Sequence, residues 1–398
     1  MMRELTKEYQ RLATIFVAVL PLVGCGATAS STVSPSPGPA VAREMGAPAR
    51  HYVYVTAQDS SKILVIDTST NTVVKRLAHA DLVQPANGEF HPSGRRFYAG
   101  GVGKITVWDT SDLASPVYLK TVTPRVGSTG EYRGVVVYKG STSTIDGDVY
   151  FSNVAESRVY IYQAADIEEP SPLPVKVFDA TSGLVRPHYL AVRPNSNEVW
   201  VGNRPSHANG TLLRFNGDSR SIITTPTTTL ETTNLPGDEP NELAFSRDGA
   251  LAYVGHHGNT FTGSPANSNE ISIVDAVGFR VKKNVSLAPG YDTPGYVDVD
   301  PDLGRVYFCS KWSPAVVVLD MISERILRYV DLGGYGPCYS VALTPDKRLI
   351  YAVLGNTTRA PTFHGQGAVV AIDTKTLIVI ANVVDTDLLN PRNAAFPY

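Results

Sequence analysis

The amino-acid sequence predicts an all-β protein, and three observations support this. A short strand motif recurs seven times, companion strands surround each copy, and 33 Gly and 28 Pro residues punctuate the whole chain of 398 residues. The Gly and Pro residues exclude a coiled coil. Over residues 51–398 the unit returns about every fifty residues with four strands, which is typical of a propeller blade. We therefore predict a seven-bladed β-propeller.

The most regular element of the repeat is its third strand, and five of the seven copies end in aspartate. The copies are ILVID (63–67), ITVWD (105–109), VYIYQ (159–163), TLLRFN (211–216), ISIVD (271–275), VVVLD (316–320) and VVAID (369–373). An aspartate that recurs once per repeat is typical of a turn-forming residue and not of a catalyst.

The other strands are placed relative to this motif. A second strand precedes it, as in YVYVTA (52–57) and LAYVGH (251–256), and a fourth follows it, as in TVVKRL (72–77) and RILRYV (325–330). A first strand that ends in a Pro, Asp, Asn or Gly turn precedes most second strands. The third repeat fits least well, because Gln163 stands at the aspartate position.

The two ends of the repeat region predict how the ring closes. Residue 51 leads directly into a second strand, so the first blade lacks its first strand. The segment NPRNAAFPY (390–398) has the pattern of a first strand with nothing after it. We expect the C-terminal strand to pair with the N-terminal blade, which leaves no open sheet edge between the first and last units.

The repeated strand–turn–strand pattern of residues 51–398 resembles the YVTN family of seven-bladed propellers. Propellers similar to this one include lactonases of the 6-phosphogluconolactonase type and the haem d1 domain of cytochrome cd1 nitrite reductases. The resemblance implies a fold that hosts both binding proteins and enzymes, so function has to be argued from the site.

The N-terminus has the composition of a targeting segment. Arg3, Lys7 and Arg11 precede an apolar run at 12–24, which is too short for a membrane-spanning helix and matches a signal peptide. The run ends in Leu-Val-Gly-Cys25, which resembles the bacterial lipobox, in which the cysteine is acylated and becomes the new N-terminus. The alternative is cleavage after the Ala-Thr-Ala of 27–29, which would release a soluble protein.

We thus expect three parts: a lipoprotein signal peptide at 1–24, a lipid-anchored linker rich in Ser, Pro and Ala at 25–50, and the propeller at 51–398. The expected location is the bacterial cell envelope, outside the cytoplasm, on the periplasmic face or the cell surface.

Lys plus Arg number 35 against 37 Asp plus Glu, so no overall basic field attracts nucleic acid. The expected partners are the membrane, through the lipid, and a small-molecule or protein ligand; we expect a monomer.

The predicted ligand site lies where loops between second and third strands meet the loops between blades. The long loops 203–210, 224–240, 256–269 and 356–367 fall mainly on this face, at the mouth of the central channel. The candidate ligand-binding residues are His188, Asn203, Arg204, Asn241, Glu242, His256, His257, Tyr296, Tyr339 and Arg392. The same face also receives His207, Lys311, Trp312, Arg359, His364 and Asn393.

Two kinds of cofactor site are open alternatives, although the sequence requires neither. His188, His256 and His257 could hold a transition metal, but no local metal-ligand spacing exists. Similarity to haem d1 proteins implies facing histidines, for which His188 and His256 are the candidates. No Gly-rich phosphate loop, G-x-S-x-G, H-E-x-x-H or C-x-x-C-H motif occurs.

Two other segments are interpreted as turns. The segment 298–304 superficially resembles a calcium loop, but Cys309 stands where a glutamate is needed and the glycine is displaced by one residue. His91 lies in a turn on the opposite face.

Cys309 and Cys338 lie at the same end of strands in neighbouring blades, so outside the cytoplasm they could form a disulfide or remain two buried thiols.

Three functions remain open from the sequence. The first is a lipid-tethered binding module, which the absence of a recognisable catalytic motif favours. The second is an enzyme, either a lactonase that uses His188, Arg204 and Glu242 or a haem d1 or metal-dependent redox protein. The third is a structural component of the envelope. The residues do not decide whether the protein is an enzyme.

Overall fold

Antiparallel β-sheets make up nearly all regular structure in the computed structural model. It describes residues 51–139, 147–204, 210–223, 232–234, 240–256, 269–311, 313–334, 336–355 and 367–398. In these ranges 29 strands form seven sheets, and two 3-10 helices, Asp166–Glu168 and Ala180–Ser182, lie in the third blade. The prediction of an all-β, seven-bladed β-propeller is confirmed. Among the described residues, no helix has the length and apolarity to cross a lipid bilayer.

Blades 1 to 3 each contain four hydrogen-bonded antiparallel strands. Blade 1 has β1 Tyr52–Ala57, β2 Lys62–Asp67 and β3 Thr72–Leu77, and its inner strand comes from the chain end described below. Blade 2 has β4 Asn87–Phe90, β5 Arg96–Gly100, β6 Ile105–Asp109 and β7 Val117–Val122. Blade 3 has β8 Tyr132–Tyr138, β9 Asp148–Asn153, β10 Arg158–Gln163 and β11 Lys176–Phe178.

Blades 4 to 7 follow in chain order. Blade 4 has β12 Pro187–Val192, β13 Glu198–Asn203, β14 Thr211–Asn216, β15 Ser221–Ile222 and β16 Thr232–Asn234. Blade 5 has β17 Pro240–Phe245, β18 Leu251–His256, β19 Glu270–Asp275 and β20 Arg280–Ser286. Blade 6 has β21 Pro294–Asp300, β22 Arg305–Ser310, β23 Ala315–Asp320 and β24 Arg325–Asp331. Blade 7 has β25 Cys338–Leu343, β26 Leu349–Leu354, β27 Ala368–Asp373 and β28 Val379–Val384, and β29 Pro391–Ala395 is the last strand.

The segment 224–240 is not a simple loop, and the prediction that it is one was wrong. β16 lies inside it and pairs with the first half of β14, while β15 pairs with the second half. The fourth strand of blade 4 is therefore split in two. The segment is rich in threonine, which favours strands, but it lacks the alternating apolar residues by which the other outer strands were recognised.

The ring closes as the sequence predicts. β29 pairs antiparallel with β1, with Tyr54 opposite Ala395 and Thr56 opposite Asn393. Each inner strand also contacts the inner strand of the next blade, and β29 contacts both β25 and β4. The inner strands therefore form an uninterrupted circle around the central channel.

Apolar packing between blades holds the circle together. Seven clusters of buried hydrophobic residues lie one at each of the seven blade interfaces of the described chain. Trp200 of blade 4 meets Phe245 of blade 5 edge to face, with ring centroids 5.0 Å apart. At the interface of blades 1 and 2, Tyr54 packs against Phe90 with ring centroids 4.7 Å apart. Such aromatic pairs contribute about 0.5–1.5 kcal/mol each beyond the area that they bury.

The recurrent aspartates form turns, as predicted. The carboxylate of Asp67 accepts the Ser69 N–H at 2.9 Å, and that of Asp373 accepts the Thr376 N–H at 2.7 Å. Asp300 accepts the Asp302 N–H at 3.0 Å, so the segment that resembles a calcium loop contains an ordinary turn. His91 accepts the Ser93 N–H through Nδ1 at 3.1 Å, which agrees with its structural role.

Candidate functional site

Six of the seven inner strands contain a register shift at the same end, next to the loops that join second and third strands. The bulged residues are Arg133 in β8, 188–189 in β12, 241–242 in β17, 295–296 in β21, Tyr339 in β25 and Arg392 in β29. A bulge leaves residues without a partner across the ladder and redirects their side chains, and bulges are frequent beside functional sites. The repeated irregularity therefore marks one level of the channel.

One side chain from each bulge forms the set that we call the bulge ring: Arg133, Tyr189, Glu242, Tyr296, Tyr339 and Arg392. The rings of Tyr189 and Tyr296 stand edge to face with centroids 5.3 Å apart, although their blades are not adjacent. Tyr296 and Tyr339 stand in the same way at 6.4 Å. The guanidinium of Arg392 lies 4.2 Å from the centre of the Tyr339 ring. The bulges thus bring residues from separate blades together.

A polar chain connects the two arginines of the bulge ring. Arg133 forms an ion pair with Glu131, and the other oxygen of Glu131 accepts a hydrogen bond from Nε2 of Gln58 at 3.2 Å. The carbonyl oxygen of Gln58 accepts from Nε of Arg392 at 2.6 Å. Gln58 is buried, so both arginines are held in fixed orientations by blades 1 and 3.

Three carboxyl groups from blades 2, 5 and 6 interact in the channel. Burial raises the pKa of Glu242 to about 8; the Val297 N–H, at 3.0 Å, opposes this shift, and the charges of Asp298 and Glu89 add to it. Burial raises the pKa of Glu89 to about 7 against a hydrogen bond of 2.6 Å from the Tyr398 hydroxyl. Burial also raises the pKa of Asp298. Burial is thus the main reason that the protonated forms are favoured, and repulsion between neighbouring carboxylates adds to it.

Some polar residues of the inner strands join neighbouring blades. Asn87 donates to the Arg133 carbonyl at 2.6 Å, and Asn241 donates to the Gly295 carbonyl at 2.9 Å. Asp298 accepts the Leu343 N–H at 2.8 Å. These bonds satisfy backbone groups that the irregular inner strands leave without ladder partners. Asp298 and Asn241 therefore have a structural role in addition to any role in binding.

The structure brings several predicted ligand-binding residues together. Glu242, Tyr296, Tyr339 and Arg392 are members of the bulge ring. Arg204 is buried beside it and donates to the side chain of Asn241 at 3.4 Å. Asn393 serves the backbone, because its side-chain oxygen accepts the Gly88 N–H at 3.3 Å.

Asn203 does not join this group. It accepts the Val185 N–H at 3.1 Å and donates to the Gly183 carbonyl at 3.0 Å, so it fixes the entry to blade 4. The sequence missed this role because the partners lie about twenty residues earlier in the chain.

The two histidines named as candidate haem ligands make different contacts. His188 is buried in its bulge with its ring 4.7 Å from that of Tyr189. Nε2 of His256 lies 2.8 Å from the Ser272 hydroxyl, which donates to Asn284 at 2.9 Å. Nε2 of His256 is thus directed toward the outer strands of its own blade.

The histidine metal site proposed from the sequence lies partly outside the described residues. His257 lies outside the described residues, as do His207, Trp312, Arg359 and His364. Within the described ranges, no group of three or more His, Cys, Asp or Glu side chains is placed to hold a metal ion.

Reasoning from the sequence missed Arg133, Tyr189, Glu89 and the channel position of Asp298, which it assigned to a turn. One usable signal was present, because Tyr189, Glu242, Tyr296 and Tyr339 each follow a proline by two residues, at Pro187, Pro240, Pro294 and Pro337. No such spacing marks Arg133 or Glu89, which only the assembled ring identifies.

A disulfide joins two of the bulges. Cys309 and Cys338 are bonded, fully buried and 5.3 Å apart between their Cα atoms. Cys309 lies across the ladder from the bulge that carries Tyr296, and Cys338 directly precedes Tyr339. The bond therefore links the strand segments that position Tyr296 and Tyr339 in the bulge ring.

A surface groove of about 490 Å³ lies far from this level, on the outer part of blade 5. Ala250, Asp275 and Lys282 are among its lining residues. Asp275 there accepts the Val277 N–H at 3.1 Å as a turn former, and none of the bulge ring residues reaches the groove.

Comparison with known proteins agrees with the fold and goes no further. No protein-family model matches the sequence, and no curated protein matches it either. By contrast, 1297 solved chains are similar in structure, so the architecture is shared by many proteins and does not by itself identify a function. The chain is, in class, a seven-bladed β-propeller in which bulged inner strands present tyrosine and charged side chains.

Two similar structures illustrate this. Hydrazine synthase from Kuenenia stuttgartiensis has a TM-score of 0.61 and 16% identity, over 82% of this chain and 93% of that chain. A functionally unknown protein from Desulfotomaculum acetoxidans DSM 771 has a TM-score of 0.63 and 12% identity, over 87% of this chain and 99% of that chain. At these identities the likeness shows the fold alone.

Proposed function

We propose that this protein binds a small polar ligand at the bulge ring. The observation that carries the proposal is the bulge at one level of six inner strands. A repeat that needed only to close a ring would have no use for six departures from regular pairing, which together present three tyrosines, two arginines and a glutamate. Bulges that re-aim side chains toward a common centre are a device of binding sites.

The chemistry of the ring suits a small polar molecule. Three tyrosine rings supply apolar faces and hydroxyl groups, two arginines supply positive charge, and Glu242 supplies a carboxyl group that holds a proton near neutral pH. Apolar walls with a few convergent polar groups are typical of small-molecule sites.

The binding proposal is tested by a thermal-shift screen of the full-length protein against neutral sugars, sugar acids and amino acids. Stabilisation by a ligand, and its loss in Tyr296→Phe, would support the site, because this change removes only a hydroxyl group from the ring. The matched control is Tyr329→Phe, which removes a hydroxyl from the outer strand β24 of the same blade. Ligand binding that survives Tyr296→Phe, Tyr339→Ala and Glu242→Gln alike would reject the site.

We further propose that the protein works outside the cytoplasm, as a monomer tethered through lipidated Cys25. The support is the signal-peptide pattern and the lipobox resemblance at 22–25. A single acyl chain contributes about 0.8 kcal/mol per buried CH₂, and nothing in the polar linker could replace it. In a bacterial host, Cys25→Ser should move the protein to the soluble fraction or leave it unprocessed. Unchanged membrane attachment would contradict the anchor.

A second candidate is a hydrolase of the lactonase type, favoured by the raised pKa of Glu242. A carboxyl group protonated near pH 7 can act as a general acid, and Arg204 donates to Asn241, the residue that precedes Glu242. A screen of lactones should then show turnover that Glu242→Gln abolishes. Ligand binding without turnover of any lactone would leave the binding module as the better description.

A further inference from the structure

The guanidinium of Arg392 is fixed on two sides by uncharged groups. Its Nε donates to the carbonyl oxygen of Gln58 at 2.6 Å, and its plane lies 4.2 Å from the centre of the Tyr339 ring. Gln58 is itself buried and also accepts from Asn390 at 3.2 Å. The position of the guanidinium is therefore set before any ligand arrives, and preorganisation of this kind lowers the cost of binding.

The two arginines of the bulge ring differ in their charge balance. Arg133 is neutralised by the carboxylate of Glu131, to which it donates from two nitrogens. Arg392 forms no ion pair with any carboxylate in the described ranges, and no protein acceptor there bonds to its two terminal nitrogens. Nε is occupied by Gln58, and the Arg392 side chain is only partly buried, so its terminal N–H groups are left for a ligand.

A second cationic side chain, that of Lys311, lies near the Tyr339 ring. Nζ of Lys311 lies 5.0 Å from the centre of the same Tyr339 ring that Arg392 covers. Two cationic side chains therefore lie against one tyrosine of the bulge ring.

The surrounding groups favour a planar anion with a single charge. A guanidinium edge matches the two oxygens of a carboxylate in a bidentate contact. Glu131 is already paired with Arg133, and Glu242 holds a proton near neutral pH, so one guanidinium without an ion pair is left to balance one negative charge of a ligand.

We propose that Arg392 anchors the carboxylate group of a small ligand, with the Tyr339 ring as the rigid support of the guanidinium. This inference rests on the proposed binding function and names the chemical class of its ligand. The remainder of the ligand would extend from the carboxylate toward Tyr189 and Tyr296.

The experiment compares the full-length protein with Arg392→Gln, Arg392→Lys and the control Arg76→Gln. Arg76 belongs to the outer strand of the same blade, so the control removes the same charge far from the channel. The probes are acetate, lactate, gluconate, glucuronate and benzoate, each beside glucose or benzamide as a neutral counterpart, with inorganic phosphate as a further arm. Affinities are measured by calorimetry at constant ionic strength.

At least one carboxylate should bind more tightly than its neutral counterpart and than phosphate. Arg392→Gln should weaken that binding about tenfold to hundredfold, Arg392→Lys should weaken it less because it keeps the charge but loses the fork, and Arg76→Gln should leave it unchanged. Unchanged melting temperatures of the two Arg392 variants would show that the ring still folds.

Three results would overturn the inference: no carboxylate binds to the wild type, phosphate binds more tightly than every carboxylate, or Arg392→Gln binds the carboxylate as well as the wild type. A different result would reject the carboxylate anchor and leave the proposed binding function in place. If neutral sugars bind and Tyr296→Phe abolishes their binding while carboxylates do not bind, the bulge ring is a ligand site and only the anchor is wrong.

Discussion

The two ends of the inner strands use their polar residues differently. At the turn end, blades 5 and 7 repeat one hydrogen bond, because Ser246 donates to Asp248 at 2.6 Å and Thr344 donates to Asp346 at 2.6 Å. At the bulged end, the equivalent positions hold different chemistry, with Glu242 in blade 5 and Tyr339 in blade 7.

The difference separates structural from functional residues within one repeated unit. Where different blades make the same local contact with the same kind of residue, the contact serves the turn that every blade needs. Where the backbone irregularity recurs but the side chain changes, the irregularity serves a position in the channel. Comparison of the blades within one chain therefore distinguishes the two kinds of residue.

The largest expected effect comes from breaking the circle that gives the bulged ends a common centre. Deleting 390–398 removes β29, exposes an edge of β1 and removes Arg392. Total stability is only about 5–15 kcal/mol, and we expect most of it to be lost. Circular dichroism should show no cooperative melting near that of the wild type. The control deletes only 397–398, which lie beyond β29, and a 390–398 deletion that melts within a degree or two of the wild type would contradict the closure.

The disulfide ties two bulged ends together, and no such bond joins turn ends in the described ranges. It closes a loop with a sequence separation of 29, so we expect Cys309→Ser with Cys338→Ser to lower stability by about 3–4 kcal/mol. The check is the melting temperature with and without reductant, together with the gain of two hydrogen atoms in mass on reduction. Two freely alkylated thiols in the unreduced, denatured protein would show that the disulfide is absent.

The carboxyl groups near the bulged end should make stability depend on pH. The native pKa of Glu242 is raised from 4.5 to about 8, so the native state binds a proton that the unfolded chain has lost. Stability should therefore fall as pH rises from about 4.5 to about 8. Glu242→Gln should flatten this slope and should be more stable than the wild type at pH 9 by an amount on the order of 1 kcal/mol.

The pH experiment has a matched control in the exposed Glu168, which pairs with Arg96 at the protein surface. Glu168→Gln should keep the slope of the wild type between pH 5 and pH 8. Parallel pH profiles for the wild type and Glu242→Gln would mean that the carboxyl group is ionised throughout, against its raised pKa.

The last prediction concerns the turn ends, where the backbone conformation should determine the change in stability. Gly304 has φ +64°, and a Cβ atom there would meet nothing within 4 Å, so Gly304→Ala should cost about 1–2 kcal/mol through the left-handed backbone only. Lys347 in the next blade has φ 59°, and Lys347→Gly should be neutral or stabilising by up to about 1 kcal/mol. Chemical denaturation measures both, and loss of ligand binding in Gly304→Ala would contradict the separation of the two ends.

The sequence by itself determined the number of blades, the order of their strands and the closure of the ring. Each strand carries its own alternation of residues, and each turn carries its own aspartate or glycine, so these signals lie within a few neighbouring residues. The exception was β16, whose threonine-rich segment lacks apolar alternation.

Only the tertiary structure decided which polar residues share a site. Tyr189 and Tyr296 are more than a hundred positions apart, and nothing local shows that their rings meet at 5.3 Å. His256 and Glu242 looked equally suitable in the sequence, but one side chain turns to the outer strands and the other to the channel. The physical reason is that a bulge changes side-chain direction within a strand, and the curvature of the closed ring then sets which bulges face one another.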